Sequence, residues 1–248
     1  MPELDFWLLI FVVPAIAFAG WVHGALGLGF PLVATPLIAI FVDVKAAILI
    51  TLLPTATVNV ASVLVAKDVK AVIMKQQPLM IASFIGAITG SIILAYAEGA
   101  PFGLGLAALI ILFLVTTHFG LRLPITATTT FMVGFGLVAG VAAGTTNVMV
   151  AVLIIYFLSI NADRSEMVPG MNLCFLIGKL SQIVVFLVVG LINVMWLVYT
   201  IPLAVVGYGA LKLGQQYGAT MAVDRYRVLL RWLLMVLALV LVVQYFWK

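Results

Sequence analysis

Charge is what this sequence has least of: Asp, Glu, Lys and Arg make up 8% of its 248 residues, against roughly 25% in a soluble domain. With 66% of the chain hydrophobic, no soluble fold of this length could hide the apolar surface, because a folded protein still needs a polar exterior. Cysteine is nearly missing too. The one thiol, Cys174, excludes an intrachain disulfide and a cysteine metal cluster. The two histidines, His23 and His118, stand too far apart in sequence to form a metal-site motif. No Gly-x-x-x-x-Gly-Lys-Ser/Thr loop is present, so the chain does not power itself with nucleotide. His-Glu-x-x-His, a Gly-x-Ser-x-Gly loop and a pair of intramembrane aspartates are all absent. A membrane-embedded protease is therefore the weakest alternative, and neither enzymatic activity nor a cofactor is expected. The start, Met1-Pro2-Glu3-Leu4-Asp5, lacks the basic region of a cleavable signal peptide, so the first apolar stretch is expected to stay in place.

What is there in quantity is apolar runs. Candidates fall at 6–22, 25–42, 46–66, 76–97, 101–119, 126–141, 145–160, 166–190, 194–212 and 227–247. Six are long enough to span a bilayer comfortably. The other four are short and come as two adjacent pairs, each joined by a glycine-rich break: Gly24 to Pro31 and Gly140 to Asn147. Each pair reads as a hairpin returning to its own side. The cytoplasmic connections then hold nine basic residues (Lys67, Lys70, Lys75, Arg122, Arg164, Lys212, Arg225, Arg227 and Arg231) and the outer side two, Lys45 and Lys248. The positive-inside rule thus predicts both termini outside a bacterial-type inner membrane.

The halves resemble each other. Gly20-x-x-x-Gly24 aligns with Gly136-x-x-x-Gly140, and a later glycine pair follows in each, Gly86/Gly90 and Gly207/Gly209. The expected fold is an all-α integral membrane protein of 8–10 hydrophobic segments. Two inverted repeats, 1–122 and 123–248, would each carry a broken-helix hairpin and three transmembrane helices within one compact membrane domain. Paired, Gly/Pro-interrupted segments in inverted halves point to a secondary-transporter binding site.

The break from Gly24 to Pro36 with its prolines, its counterpart in the second half, and the length resemble the TauE/SafE family of membrane permeases, the sulfite exporter or toluene-sulfonate uptake family. The resemblance implies transport of a sulfur-containing or other organic anion. Thr145-Thr146-Asn147 departs from the family pattern, where more glycine is typical.

The residues themselves point the same way. All eight acids (Glu3, Asp5, Asp43, Asp68, Glu98, Asp163, Glu166, Asp224) fall at span ends or loops, which argues against a cation substrate. Lys179 sits mid-span with no acid within a turn or two, as a cation awaiting an anion or as a lysine that snorkels or bonds carbonyls. Helix starts after the two breaks offer unpaired N–H groups, with Gly27, Gly29 and Pro31 shaping the first and Thr145, Thr146 or Asn147 capping the second. The alternative is that these glycines serve close helix packing. His23 is a candidate anion donor or proton-coupling group, and equally a structural histidine. Asn59 and Asn172 are mid-span polar residues suited to substrate contact or to helix–helix hydrogen bonding. The expected activity is secondary transport of a sulfonate or sulfite, with a passive anion channel as the alternative. The expected partners are the small anion and the lipid bilayer; protons and a second copy of the chain are left open, and nucleic acid is not expected.

Overall fold

The computed structural model describes residues 6–97, 102–218 and 223–247, and these are helical with short connections. In chain order they form α1 (Phe6–Leu26), α2 (Phe30–Ala39), α3 (Val44–Leu64), α4 (Val69–Tyr96), α5 (Phe102–Phe119) and α6 (Thr129–Thr146). There follow α7 (Val150–Ser159), α8 (Arg164–Val188), α9 (Val194–Tyr199), α10 (Ile201–Gly218) and α11 (Val223–Trp247). Among the described residues seven helices are long and apolar enough to cross a membrane: α1, α3, α4, α5, α6, α8 and the part of α11 from Leu230. Glu3, Asp5, Glu98 and Lys248 lie outside the described residues.

The two short helices, α2 and α7, have ten residues each. At 1.5 Å per residue each covers about 15 Å, half a bilayer core. The two short runs 25–42 and 145–160 are therefore half-helices, while their partners 6–22 and 126–141 lengthen into full spans. The expected run 194–212 is the short α9 followed by α10, which continues to Gly218 and is not among the seven. Lys212, expected in a connection, thus lies within a helix.

Glycine sets the closest helix contacts. α1 packs on α10 and α4 on α6. A Cβ on Gly140 would sit 2.7 Å from the backbone N of Ala87, and one on Gly144 would sit 2.5 Å from that of Ser91. Only hydrogen fits there, so the helix backbones touch, the standard means of association where lipid supplies no hydrophobic drive. Gly20, Gly24 and Gly214 play the same part between α1 and α10. Gly209 faces open space instead, and Gly207 and Gly214 are the glycines of α10 that meet α1.

The helix ends sort onto two faces. The ends of α1 and α3 and the starts of α4 and α8 line one cavity. On the opposite face Lys45 Nζ donates to Ala95 O (2.9 Å), Trp196 Nε1 to Leu49 O (3.1 Å) and Gln244 Nε2 to Ile40 O (3.0 Å). Phe11 stacks on Phe41 there, at 4.3 Å between ring centres. The described chain therefore begins and ends on the face away from the cavity.

Candidate functional site

The first break is a local event. Gly27 (φ 85°) and Gly29 (φ 104°) adopt left-handed backbone that disfavours any side chain. Pro31 follows in the first turn of α2, where its missing N–H costs nothing. His23, fully buried in the last turn of α1, staples the turn. The Phe30 N–H donates to its Nδ1 (3.2 Å), so that nitrogen must accept and the ring hydrogen sits on Nε2. Nε2 in turn donates to Ser62 Oγ (2.9 Å), whose own hydroxyl donates to Val58 O (2.9 Å). From α8, Asn172 Nδ2 donates to Gly27 O (2.8 Å) and Arg164 Nη2 to Leu26 O (3.2 Å).

A vestibule of about 710 Å³ opens beside this break. Its deep wall holds His23, Gly27, Ser62 and Asn172; its rim carries Lys67, Asp68, Lys75, Asp163, Arg164 and Glu166. Part of the rim is internally paired. Glu166 accepts from Lys75 Nζ (2.7 Å) and Gln76 Nε2 (2.7 Å), and buried Tyr156 donates to Gln76 Oε1 (2.8 Å). Asp163 caps α8. The Ser165 hydroxyl (2.7 Å) and the Glu166 N–H (2.9 Å) both donate to its Oδ1 and hold its carboxyl below the usual value.

The second break lies later than expected. α6 runs unbroken through Gly140 and Gly144 to Thr146, and the chain turns only at Asn147, whose φ of 67° is left-handed. The Thr145 and Thr146 hydroxyls donate back to Val141 O and Ala142 O (2.8 Å each), which closes the helix end. They do not cap α7: its N-cap is Met149, with no side-chain bond. Asn147 is a C-cap of α6, not an N-cap of α7.

Asn147 gathers four helices. Its Nδ2 donates to Thr35 Oγ1 of α2 (2.9 Å) and to Thr51 Oγ1 of α3 (3.1 Å), and its Oδ1 accepts from Lys179 Nζ of α8. Lys179 also donates to Gln182 Oε1, and Gln182 Nε2 to Gly144 O (3.1 Å). Lys179 is 4% exposed and is the one buried Lys or Arg among the described residues. Its two acceptors are neutral amides, so its charge is solvated but not balanced. Pro31, Thr55, Asn147, Lys179 and Gln182 surround a closed cavity of about 10 Å³, room for roughly one water.

One face of α3 joins the two cavities. Thr51, Thr55, Asn59 and Ser62 follow at helical spacing, and α3 packs on α8. Thr51 belongs to the Lys179 network, Thr55 lines the closed cavity, and Ser62 lines the vestibule. Among the described residues six side-chain atoms are buried without a hydrogen-bond partner: Thr55 Oγ1 and both polar atoms of Asn59 on this face of α3, Asn172 Oδ1 beside His23, and Ser83 Oγ and Thr116 Oγ1 away from it. Such groups cost about 1–3 kcal/mol each when left unpaired, so the three on one face of α3 call for an explanation.

Of the residues singled out from sequence, Lys179 and Asn147 meet at the closed cavity, His23, Gly27 and Asn172 line the vestibule, and Asn59 lies between on the α3 face. Gly29 has open space about its α-carbon. Thr35, Thr51, Thr55, Ser62 and Gln182 complete the arrangement. Sorting the polar residues of α3 by helical face would have separated Thr55, Asn59 and Ser62 from Thr57; no signal in sequence marks Thr35. No group of three His, Cys, Asp or Glu that could hold a metal occurs among the described residues.

No curated protein and no solved structure matches the chain. The family model "Sulfite exporter TauE/SafE" matches residues 12–244, nearly the full length. A helical membrane core with two half-helices and a polar seam between two cavities is thus part of a known transporter family: the chain belongs to the sulfite exporter TauE/SafE family of multi-pass membrane transporters.

Proposed function

We propose that this chain is a secondary transporter that passes a small oxyanion, sulfite or a sulfonate, between the vestibule and Lys179. The observation that carries this reading is the run of unpartnered polar atoms on Thr55 and Asn59 along one face of α3. It leads from a cavity large enough for the anion to the one buried cation among the described residues. An oxyanion moving along it offers acceptors to the Thr55 hydroxyl and the Asn59 amide, then reaches an ammonium held only by neutral oxygens. Charge-assisted bonds to that ammonium are worth about twice neutral ones, so the anion displaces Asn147 or Gln182 oxygen at Lys179. The closed cavity is too small for the anion as it stands, so α8 or the half-helices must shift to admit it, the step that alternates access.

The two halves, 1–122 and 123–248, serve as inverted repeats in this reading. Matching α1–α5 with α6, α7, α8, α10 and α11 sends each main packing pair onto another: α1 on α10 becomes α6 on α4, α3 on α10 becomes α8 on α4, and α2 on α11 becomes α7 on α5. The vestibule faces the cytoplasm of the cell whose inner membrane holds the protein, and both termini face outward, as the excess of basic residues on the vestibule side supports. His23 holds the first break together, which leaves proton coupling, if transport uses it, to other groups.

The test is uptake of radiolabelled sulfite by proteoliposomes carrying Thr55→Val or Asn59→Leu. Either change removes unpartnered buried polar atoms, so folding stability should hold or rise while uptake falls at least tenfold. Full uptake by both variants would overturn the assignment of the seam.

A further inference from the structure

A second cationic site lies away from the seam. Between α3 and α10 a lateral groove of about 380 Å³ is walled by apolar side chains, among them Leu53, Val60 and Leu64, with Tyr208 and Lys212 on its α10 side. Val60, Leu64 and Tyr208 are 39%, 78% and 42% exposed, so in a bilayer the groove opens to lipid, not to water. Lys212 stands six residues before the end of α10. Side chains on a helix lean toward its N-terminus, which carries this ammonium deeper still, over the Tyr208 ring at 5.5 Å. Among the described residues Lys212 has neither a carboxylate nor a carbonyl partner, and its ammonium faces the Tyr208 ring. An ionisable residue within a membrane helix marks a functional site by default. A basic group in an apolar groove between helices matches an anionic headgroup whose acyl chain fills the groove.

We infer that the α3–α10 groove is a binding site for one anionic phospholipid from the leaflet on the vestibule side, its headgroup held by Lys212 and its chain running inward along Val60 and Leu53. The groove abuts the vestibule, since Val65 lines both. A bound lipid therefore rests on the end of α3, one turn from Ser62, and can bias how that helix moves. The site is separate from the transported anion: it requires only that the chain sits in a membrane.

Native mass spectrometry of the purified protein, titrated with phosphatidylglycerol or chain-matched phosphatidylcholine, tests this. The wild type should retain one phosphatidylglycerol and prefer it about fivefold, the factor that about 1 kcal/mol per lysine near the surface corresponds to. Lys212→Gln should lose the preference but still retain chain-matched lipid. Val60→Trp, which fills the groove, should lose retention of both lipids and keeps the test open if Lys212→Gln folds poorly. Lys67→Gln, on the vestibule rim, should bind as the wild type does. Equal retention of the two lipids by the wild type, or an undiminished preference in Lys212→Gln, would overturn the inference.

Discussion

Replacing Lys179 with methionine keeps the length of the side chain and removes its ammonium. Two opposed effects on stability follow from the structure. Taking a charge out of mid-membrane relieves at least ~2.5 kcal/mol. Asn147 Oδ1 and Gln182 Oε1 each lose a donor, at about 1–3 kcal/mol apiece. The two sides offset to within a few kcal/mol, so the melting temperature, followed by tryptophan fluorescence, should move by several degrees at most. Affinity has no such compensation. A hydrogen bond to a charged group is worth about 1.5–3 kcal/mol, so the Kd for sulfite or a sulfonate should rise ~10–150-fold. Lys179→Arg, which keeps the charge in a bulkier form, should bind better than Lys179→Met if charge is what matters. The reasoning fails if Lys179→Met binds the anion as tightly as the wild type, and fails equally if stability collapses while affinity survives. In either case the lysine is a structural pin between α6 and α8.

Three further expectations are independent of the substrate. Gly140→Leu should cost at least the ~1–3 kcal/mol of overpacking and lower the yield of folded protein, since its Cβ meets the α4 backbone, whereas Gly209→Ala, with open space about it, should melt as the wild type does; equal behaviour of the two would refute the α4–α6 contact. Asp163 has its carboxyl depressed by the Ser165 hydroxyl and the Glu166 N–H, so its stabilising share is present above the usual value of 3.8 and lost as pH falls below it; wild type should lose melting temperature through that range more steeply than Asp163→Asn, and parallel curves would count against the cap. A cysteine at position 70 should resist membrane-impermeant maleimide in intact cells and react in inverted vesicles. Cys174 is fully buried and silent in the background, and labelling from outside would reverse the proposed orientation.

Composition and run lengths alone determine that this chain lives in lipid, because 8% charge leaves no means of covering it with a polar surface. They also mark four segments as short, and the structure leaves two of these, α2 and α7, as half-helices. The first break was legible for the same reason: Gly27, Gly29 and Pro31 act through their own backbone preferences, which need no neighbours. The second was misplaced because glycine breaks helices weakly where no water competes for backbone hydrogen bonds. Gly140 and Gly144 stay helical since α4 fits against them, and the turn waits for Asn147, a residue that tolerates left-handed backbone. Lys179 stood out as an unpaired charge, but its partners could not be read from sequence. Asn147 is 32 residues away and Thr35 is 112 residues from Asn147. Only the crossing of α2, α3, α6 and α8 brings them together. Tertiary packing likewise decided which polar residues of α3 share a face with a cavity at each end, since side chains become a path only when a second helix closes over them.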